Sequence, residues 1–113
     1  MIEFWHNPRC SKSRDALKLL EKRGAEVTVR RYLEEAPTAQ ELRALQAHLG
    51  LPAVEMMRVK EARFRELGLS KTDDDAALLA AMAENPVLIE RPVAIEGTRA
   101  VIGRPPERVL ELL

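Results

Sequence analysis

A chain of 113 residues, 46% hydrophobic and of zero formal net charge, has the size of one domain able to bury a core without staples. Its lone cysteine excludes an intrachain disulfide framework and fits a reducing, cytoplasmic setting. No leader pattern is visible and no apolar run approaches the roughly 20 residues of a membrane span, so no membrane partner is expected; with 4% aromatics and no basic stripe, neither is nucleic acid. The charge is unevenly spread: residues 1–31 hold eight Lys/Arg against four Asp/Glu, and the remainder ten against fourteen. The basic end hints at an anionic substrate.

In chain order, Ile2-Glu3-Phe4-Trp5 reads as a strand and Asp15 to Arg23 as an amphipathic helix with Ala16, Leu17 and Leu20 inward, ending at Gly24. Between them lies His6-Asn7-Pro8-Arg9-Cys10-Ser11-Lys12-Ser13-Arg14. Cys10 therefore sits at a strand-to-helix turn, where unpaired backbone N–H groups and the positive end of the helix dipole favour a thiolate. A core cysteine would have apolar neighbours, whereas this one has Arg9, Ser11, Lys12, Ser13 and Arg14; Cys10 reads as a nucleophile. Arg14, Arg9 and His6 suggest a positive local field. No metal is expected, because Cys10, His6 and His48 do not make a ligand set.

Glu26 to Arg30 alternates as a second strand, giving a β-α-β unit whose strands should be parallel. After a loop from Tyr32 to Pro37, Thr38-Ala39-Gln40-Glu41 is a capping box, and Leu42, Leu45 and Leu49 form one stripe ending at Gly50. Short helices are expected near Leu51 to Arg58 and Glu61 to Leu67. Thr72-Asp73-Asp74-Asp75 predicts the capped start of a helix with Ala76, Leu79, Ala80 and Ala83 on one face. Asn85-Pro86 stops it; Val87 to Glu90 should be extended. Val93-Ala94-Ile95 and Arg99 to Ile102 form a hairpin about Glu96-Gly97-Thr98, and a last helix should face Val109, Leu110 and Leu113 inward. The order β-α-β, helices, β-β-α is an α/β, thioredoxin-like fold. Its four-stranded mixed sheet should be flanked by helices, with a helical insertion at about 51–85 of a single domain spanning 1–113.

The chain resembles the glutaredoxin-dependent arsenate reductases and their arsenate-reductase-like relatives. The matching residues are His6-Asn7-Pro8-x-Cys10-x-x-Ser13-Arg14, Arg58-x-Lys60-Glu61 with Glu66-Leu67-Gly68-Leu69, Arg91-Pro92 and Arg104-Pro105, in family order across essentially the whole chain. The resemblance implies that Cys10 attacks arsenate while Arg58, Arg91 and Arg104 hold the oxyanion, in the service of arsenic resistance. Planar guanidinium groups match such an anion with paired, charge-assisted hydrogen bonds. It also implies a cis Pro92 opposite the cysteine. No bound cofactor is expected. Cys10-Ser11-Lys12-Ser13 has no second thiol, so an adduct on Cys10 needs an external one; glutathione as co-substrate, followed by glutaredoxin, is what the resemblance implies. Ser13 would then be a hydrogen-bond donor to Cys10 or substrate, and His6 either tunes Cys10 or closes the turn.

Two alternatives attach to this pattern. Ser11-Lys12 stands where characterised arsenate reductases carry Gly-Thr, which leaves room for a glutathione-dependent thiol reductase acting on another substrate. The Spx transcription factors share the fold and bind RNA polymerase without catalysis; the absent second cysteine and the arginine trio count against that reading.

A lowered thiol pKa cannot supply the whole rate. Each unit of lowering costs roughly threefold in nucleophilicity at a Brønsted coefficient near 0.4–0.5, which offsets much of the gain in thiolate. The arginines must therefore hold a negative electrophile against a negative nucleophile and stabilise the departing oxygen.

Overall fold

The computed structural model describes residues 1–113. Its sheet has four strands in the order β2-β1-β3-β4: β1 Ile2–Trp5, β2 Val27–Arg30, β3 Val93–Glu96 and β4 Arg99–Ile102. β1 and β2 are parallel, joined through helix α1 (Ser11–Lys22), whereas β1–β3 and β3–β4 are antiparallel. The β3–β4 hairpin closes through Gly97 and Thr98, with Glu96 paired to Arg99. Gly97 has φ of 61°, the left-handed backbone that a glycine-first two-residue turn requires. Between β2 and β3 the chain is helical, through α2 (Ala39–Leu49), α3 (Ala62–Glu66), α4 (Asp75–Glu84) and short 3-10 helices at Ala53–Met56 and Pro86–Leu88. This is a thioredoxin-like sheet with a helical insertion.

The chain divides into two compact units, 1–35 with 91–113, and 36–90. In the first, β1 and β3 contribute Ile2, Phe4 and Ala94 to a core completed by Ala16, Leu20, Val101, Val109 and Leu112. The one-sided apolar spacing of α1 produces this: Ala16 and Leu20 are fully buried, and Leu17 packs at the margin. The last helix, Pro106–Leu112, is 3-10 instead of α. Its bonds run i to i+3, as from Arg108 N to the Pro105 carbonyl. With three residues per turn the inward set becomes Pro106, Val109 and Leu112, and the expected Leu113 is 53% exposed.

Gly103, which follows β4, has no space for a side chain. A Cβ there would lie 2.8 Å from Pro92 Cγ and 3.0 Å from Val109 Cγ1. Gly103→Ala should therefore destabilise the fold by about 1–3 kcal/mol through overpacking, read as a lower urea midpoint. Because the Gly103 amide also donates to the Pro92 carbonyl at 2.9 Å, the displacement reaches the residue beside Arg91.

In the second unit the capping box at Thr38 forms as predicted. The Thr38 hydroxyl accepts from Glu41 N and the Glu41 carboxylate accepts from Thr38 N, each at 3.0 Å. Leu42 and Leu45 are buried, with Leu49 at the rim of the stripe. Helix α4 buries Leu78, Leu79 and Met82, leaving Ala76 and Ala80 exposed. An alanine-rich helix is apolar nearly all round, so spacing cannot select its inner face; the bulkiest side chains gain most from burial and settle it. Its start also differs from the capping expected, for Asp74 occupies the N-cap without a side-chain bond. Asp75 instead accepts from Gln46 Nε2 at 2.7 Å and Ala53 N at 3.3 Å, and Asp73 accepts from Ser70 N at 2.9 Å. The expected extended segment from Val87 begins as the 3-10 turn Pro86–Leu88, because Leu88 N and Ile89 N bond back to Asn85 and Pro86. No helix is long and apolar enough to cross a membrane.

Candidate active site

The sheet register assembles the site. Trp5, the last residue of β1, pairs with Val93, the first of β3, and Val93 pairs in turn with Ile102 at the end of β4. Three chain segments therefore leave one end of the sheet side by side: His6 onward, Arg91-Pro92, and Gly103-Arg104. Arg104 Nη1 donates to the Arg91 carbonyl at 3.0 Å. The Arg91–Pro92 bond is cis, as the resemblance implies, and the Arg104–Pro105 bond is cis as well.

Cys10 is half-buried at the N-cap of α1, in extended backbone. Its own amide donates to the Asn7 carbonyl at 3.0 Å, and Arg14 N donates to the Cys10 carbonyl at 3.0 Å. Partial burial pushes the thiol pKa up. The Ser13 backbone N–H, the Arg91 charge, the Lys12 N–H and a hydrogen bond from the Arg91 side chain outweigh it, and the net pKa lies below the ordinary thiol value. The helix N-terminus acts as the turn predicts. The dominant cation does not come from the local sequence: it is Arg91, delivered by β3, whereas Arg14 places Nη1 2.9 Å from the Pro8 carbonyl and holds the turn.

The Ser13 side chain takes a role other than the one expected, and His6 takes the second of its two expected roles, closing the turn. Ser13 is fully buried, and its hydroxyl lies 2.7 Å from His6 Nδ1 and accepts from Asn7 N at 3.0 Å. Its side chain thus braces the loop, and only its backbone N–H serves the thiol. His6 is held towards its neutral form. Burial first, then Arg31 and Arg14, hold its pKa below 6.5 against a smaller opposing effect of Glu21. Asn7 orders the same turn by accepting from Arg9 N through Oδ1 at 3.0 Å.

The depressed His6 pKa has a pH consequence with a definite sign. An unfolded chain takes up a proton near pH 6.5 that the folded chain refuses. The stability is complete above that pH and is lost as pH falls towards the folded pKa. Urea midpoints should decline on acidification below pH 6.5, and His6→Asn should flatten that part of the slope while lowering the whole curve.

Arg58 belongs to the second unit, where it forms an ion pair with Glu61 at 3.1 Å while its backbone N donates to the Leu88 carbonyl at 2.8 Å. Arg31 escaped the sequence reading. It follows β2 as one exposed arginine among many, and nothing in its neighbours marks it as facing His6.

A thioredoxin-like fold that presents a thiol of lowered pKa at a helix N-terminus, with the charge of Arg91 acting on it, is an arrangement suited to thiol chemistry. Comparison with known proteins narrows this class. Residues 5–112 match the ArsC family, and the chain belongs to it. It is 46% identical to an arsenate reductase of Neisseria meningitidis, over 99% of this chain and 97% of that one. It is equally 46% identical to the uncharacterized protein YfgD of Escherichia coli, over 99% and 96% of the two chains. Among solved structures, the arsenate reductase from Vibrio cholerae superposes with a TM-score of 0.95 at 49% identity, covering 99% of this chain and 97% of its own.

Proposed function

We propose that this chain reduces arsenate to arsenite through Cys10, with glutathione and glutaredoxin as the source of electrons. The observation that carries the reading is the setting of Cys10: a thiol at a helix N-terminus whose pKa is lowered by the Ser13 N–H and by Arg91, a guanidinium that can also hold an oxyanion. The relatives named arsenate reductases supply the oxyanion.

In the first step the Cys10 thiolate attacks arsenic of dihydrogen arsenate. An S–As bond forms, and one oxygen leaves as water after taking up a proton from solvent. In the second, a glutathione thiol attacks Cys10 Sγ; the S–As bond breaks with its electron pair retained by arsenic, which becomes arsenite, and Cys10 is left disulfide-bonded to glutathione. The thiol of glutaredoxin then takes the glutathione and frees Cys10. Two thiols thus supply the two electrons. Arg91 and Arg104 hold the anion and offset the charge that develops on the departing oxygen, and Arg58 is the third arm that the family resemblance assigns. The backbone N–H groups of Ser13 and Lys12 keep the thiolate in place. A glutathione-dependent cycle places the protein in the reducing cytoplasm.

The test is steady-state turnover of arsenate with glutathione, glutaredoxin and a coupled NADPH readout. Arsenate-dependent NADPH oxidation that phosphate cannot replace is expected. Its absence, together with glutathione release from a mixed disulfide, would move the function to the thiol reductase that Ser11-Lys12 leaves open.

A further inference from the structure

A cavity of about 430 Å³ lies against the Cys10 loop, walled by the His6–Arg9 turn on one side and by Arg31, Leu33 and Glu34 on the other. Both walls are fixed by the backbone. The Arg31 carbonyl accepts from Glu34 N at 3.0 Å and Glu35 N at 2.8 Å, and His6 N bonds to the Arg30 carbonyl at 2.8 Å, which holds the two turns against each other. The rim carries two guanidinium groups, Arg9 and Arg31, and the Glu34 carboxylate, yet none of the three takes part in an ion pair. Nothing in the cycle assigned to Cys10, Arg58, Arg91 and Arg104 uses these groups.

We infer that this cavity is the seat of the thiol co-substrate, gripping a γ-glutamyl tripeptide by its charged ends. This rests on the reading that glutathione resolves the Cys10 adduct. At neutral pH such a tripeptide bears two carboxylates and one ammonium, the complement of two guanidiniums and one carboxylate. Arginine forks bind carboxylates in a bidentate fashion and lose little freedom in doing so. The side chain of Leu33, 43% exposed, offers the apolar wall that the aliphatic part of the ligand needs. The volume suits a small ligand, since such sites typically span about 300–1,000 Å³. Reach also suits the chemistry: Cys10 directly follows Arg9, and an extended tripeptide spans about 10 Å, so a thiol at its middle residue can approach Cys10 from an anchor on this rim.

A second groove, along α1 and the last 3-10 helix, is smaller at about 370 Å³, opens more widely to solvent and presents Lys12, Lys18 and Lys22 beside Asp15 and Glu107. Its lysines are strongly hydrated point charges on flexible stems without the fork geometry, which makes it the weaker match and a control.

The experiment is an NMR titration of the whole chain with S-methylglutathione, whose blocked sulfur neither attacks nor forms disulfides. Saturable shifts are expected at the amides of Asn7, Arg9, Arg31, Leu33 and Glu34. Arg31→Ala should weaken binding about tenfold or more, as the loss of a charge-assisted pair predicts. Arg31→Lys should fall between, and Lys18→Ala should bind as the parent does. Shifts confined to the Lys12–Lys22 groove, equal affinity in Arg31→Ala, or no saturable shift would overturn the assignment. Failure of arsenate turnover with S-methylglutathione binding intact would remove arsenate as the substrate and leave the seat standing.

Discussion

Arg91→Ala should lower kcat/KM for arsenate by about 10²–10³, the usual cost of removing one preorganised donor from developing negative charge. The same change should raise the Cys10 pKa, because Arg91 contributes both charge and a hydrogen bond to the thiolate. The two effects separate experimentally. Iodoacetamide alkylation followed against pH reports the thiol alone, and turnover at a pH above its titration reports the oxyanion role. Arg91→Lys should restore part of the pKa shift and little of the turnover, since an ammonium keeps the charge but not the fork. Arg14→Ala should change kcat/KM far less, its guanidinium being engaged with the Pro8 carbonyl. A loss at Arg14 equal to that at Arg91, in folded protein, would contradict this ranking.

Cys10→Ser should reduce arsenate turnover by at least about 10³-fold while leaving the thermal unfolding curve nearly unchanged. Serine is close in size, the side chain is only half-buried, and the bonds that order the loop are made by its backbone and by Asn7, Ser13 and His6. A hydroxyl is a weak nucleophile at its ordinary pKa, where a thiol already ionises in part, and His6 Nδ1 is engaged with Ser13. The parent thiol should react with iodoacetamide at a rate that rises with pH and levels off below the pH typical of a free cysteine, following the direction of its shift. A variant with residual turnover near the parent's would remove Cys10 from the chemistry.

Much of the fold could be read from local pattern because local pattern decides it. The capping box at Thr38 and the glycine at position 97 each follow from interactions within a few residues, and the parallel β-α-β unit follows from the handedness of a connection between successive elements. The errors arise where several choices are locally equivalent. An alanine-rich α4 has no preferred face until larger side chains find partners, and Pro105-Pro106 permits either helix type until packing of Pro106, Val109 and Leu112 selects a period of three. The site divides along the same line. Cys10 was visible because its turn is local. Arg91 was visible only through the family resemblance, since its approach to Cys10 depends on a strand pairing between distant segments. The bracing of His6 by Ser13 could be inferred from neither, for a hydroxyl near a cysteine does not announce which partner it will take.

That strand pairing also bears on how the protein acquires its activity. β1 is complete within the first residues, but its neighbour β3 begins at Val93, with the 36–90 unit between them. Closing so long a loop costs entropy before any contact repays it, and topologies of this kind fold slowly for their size. During synthesis the thiol emerges about eighty residues ahead of Arg91. Until Arg91 arrives, Cys10 has only the N–H groups of its own helix to favour the thiolate, and the remaining part of the shift waits on the strand pairing that brings Arg91 to it.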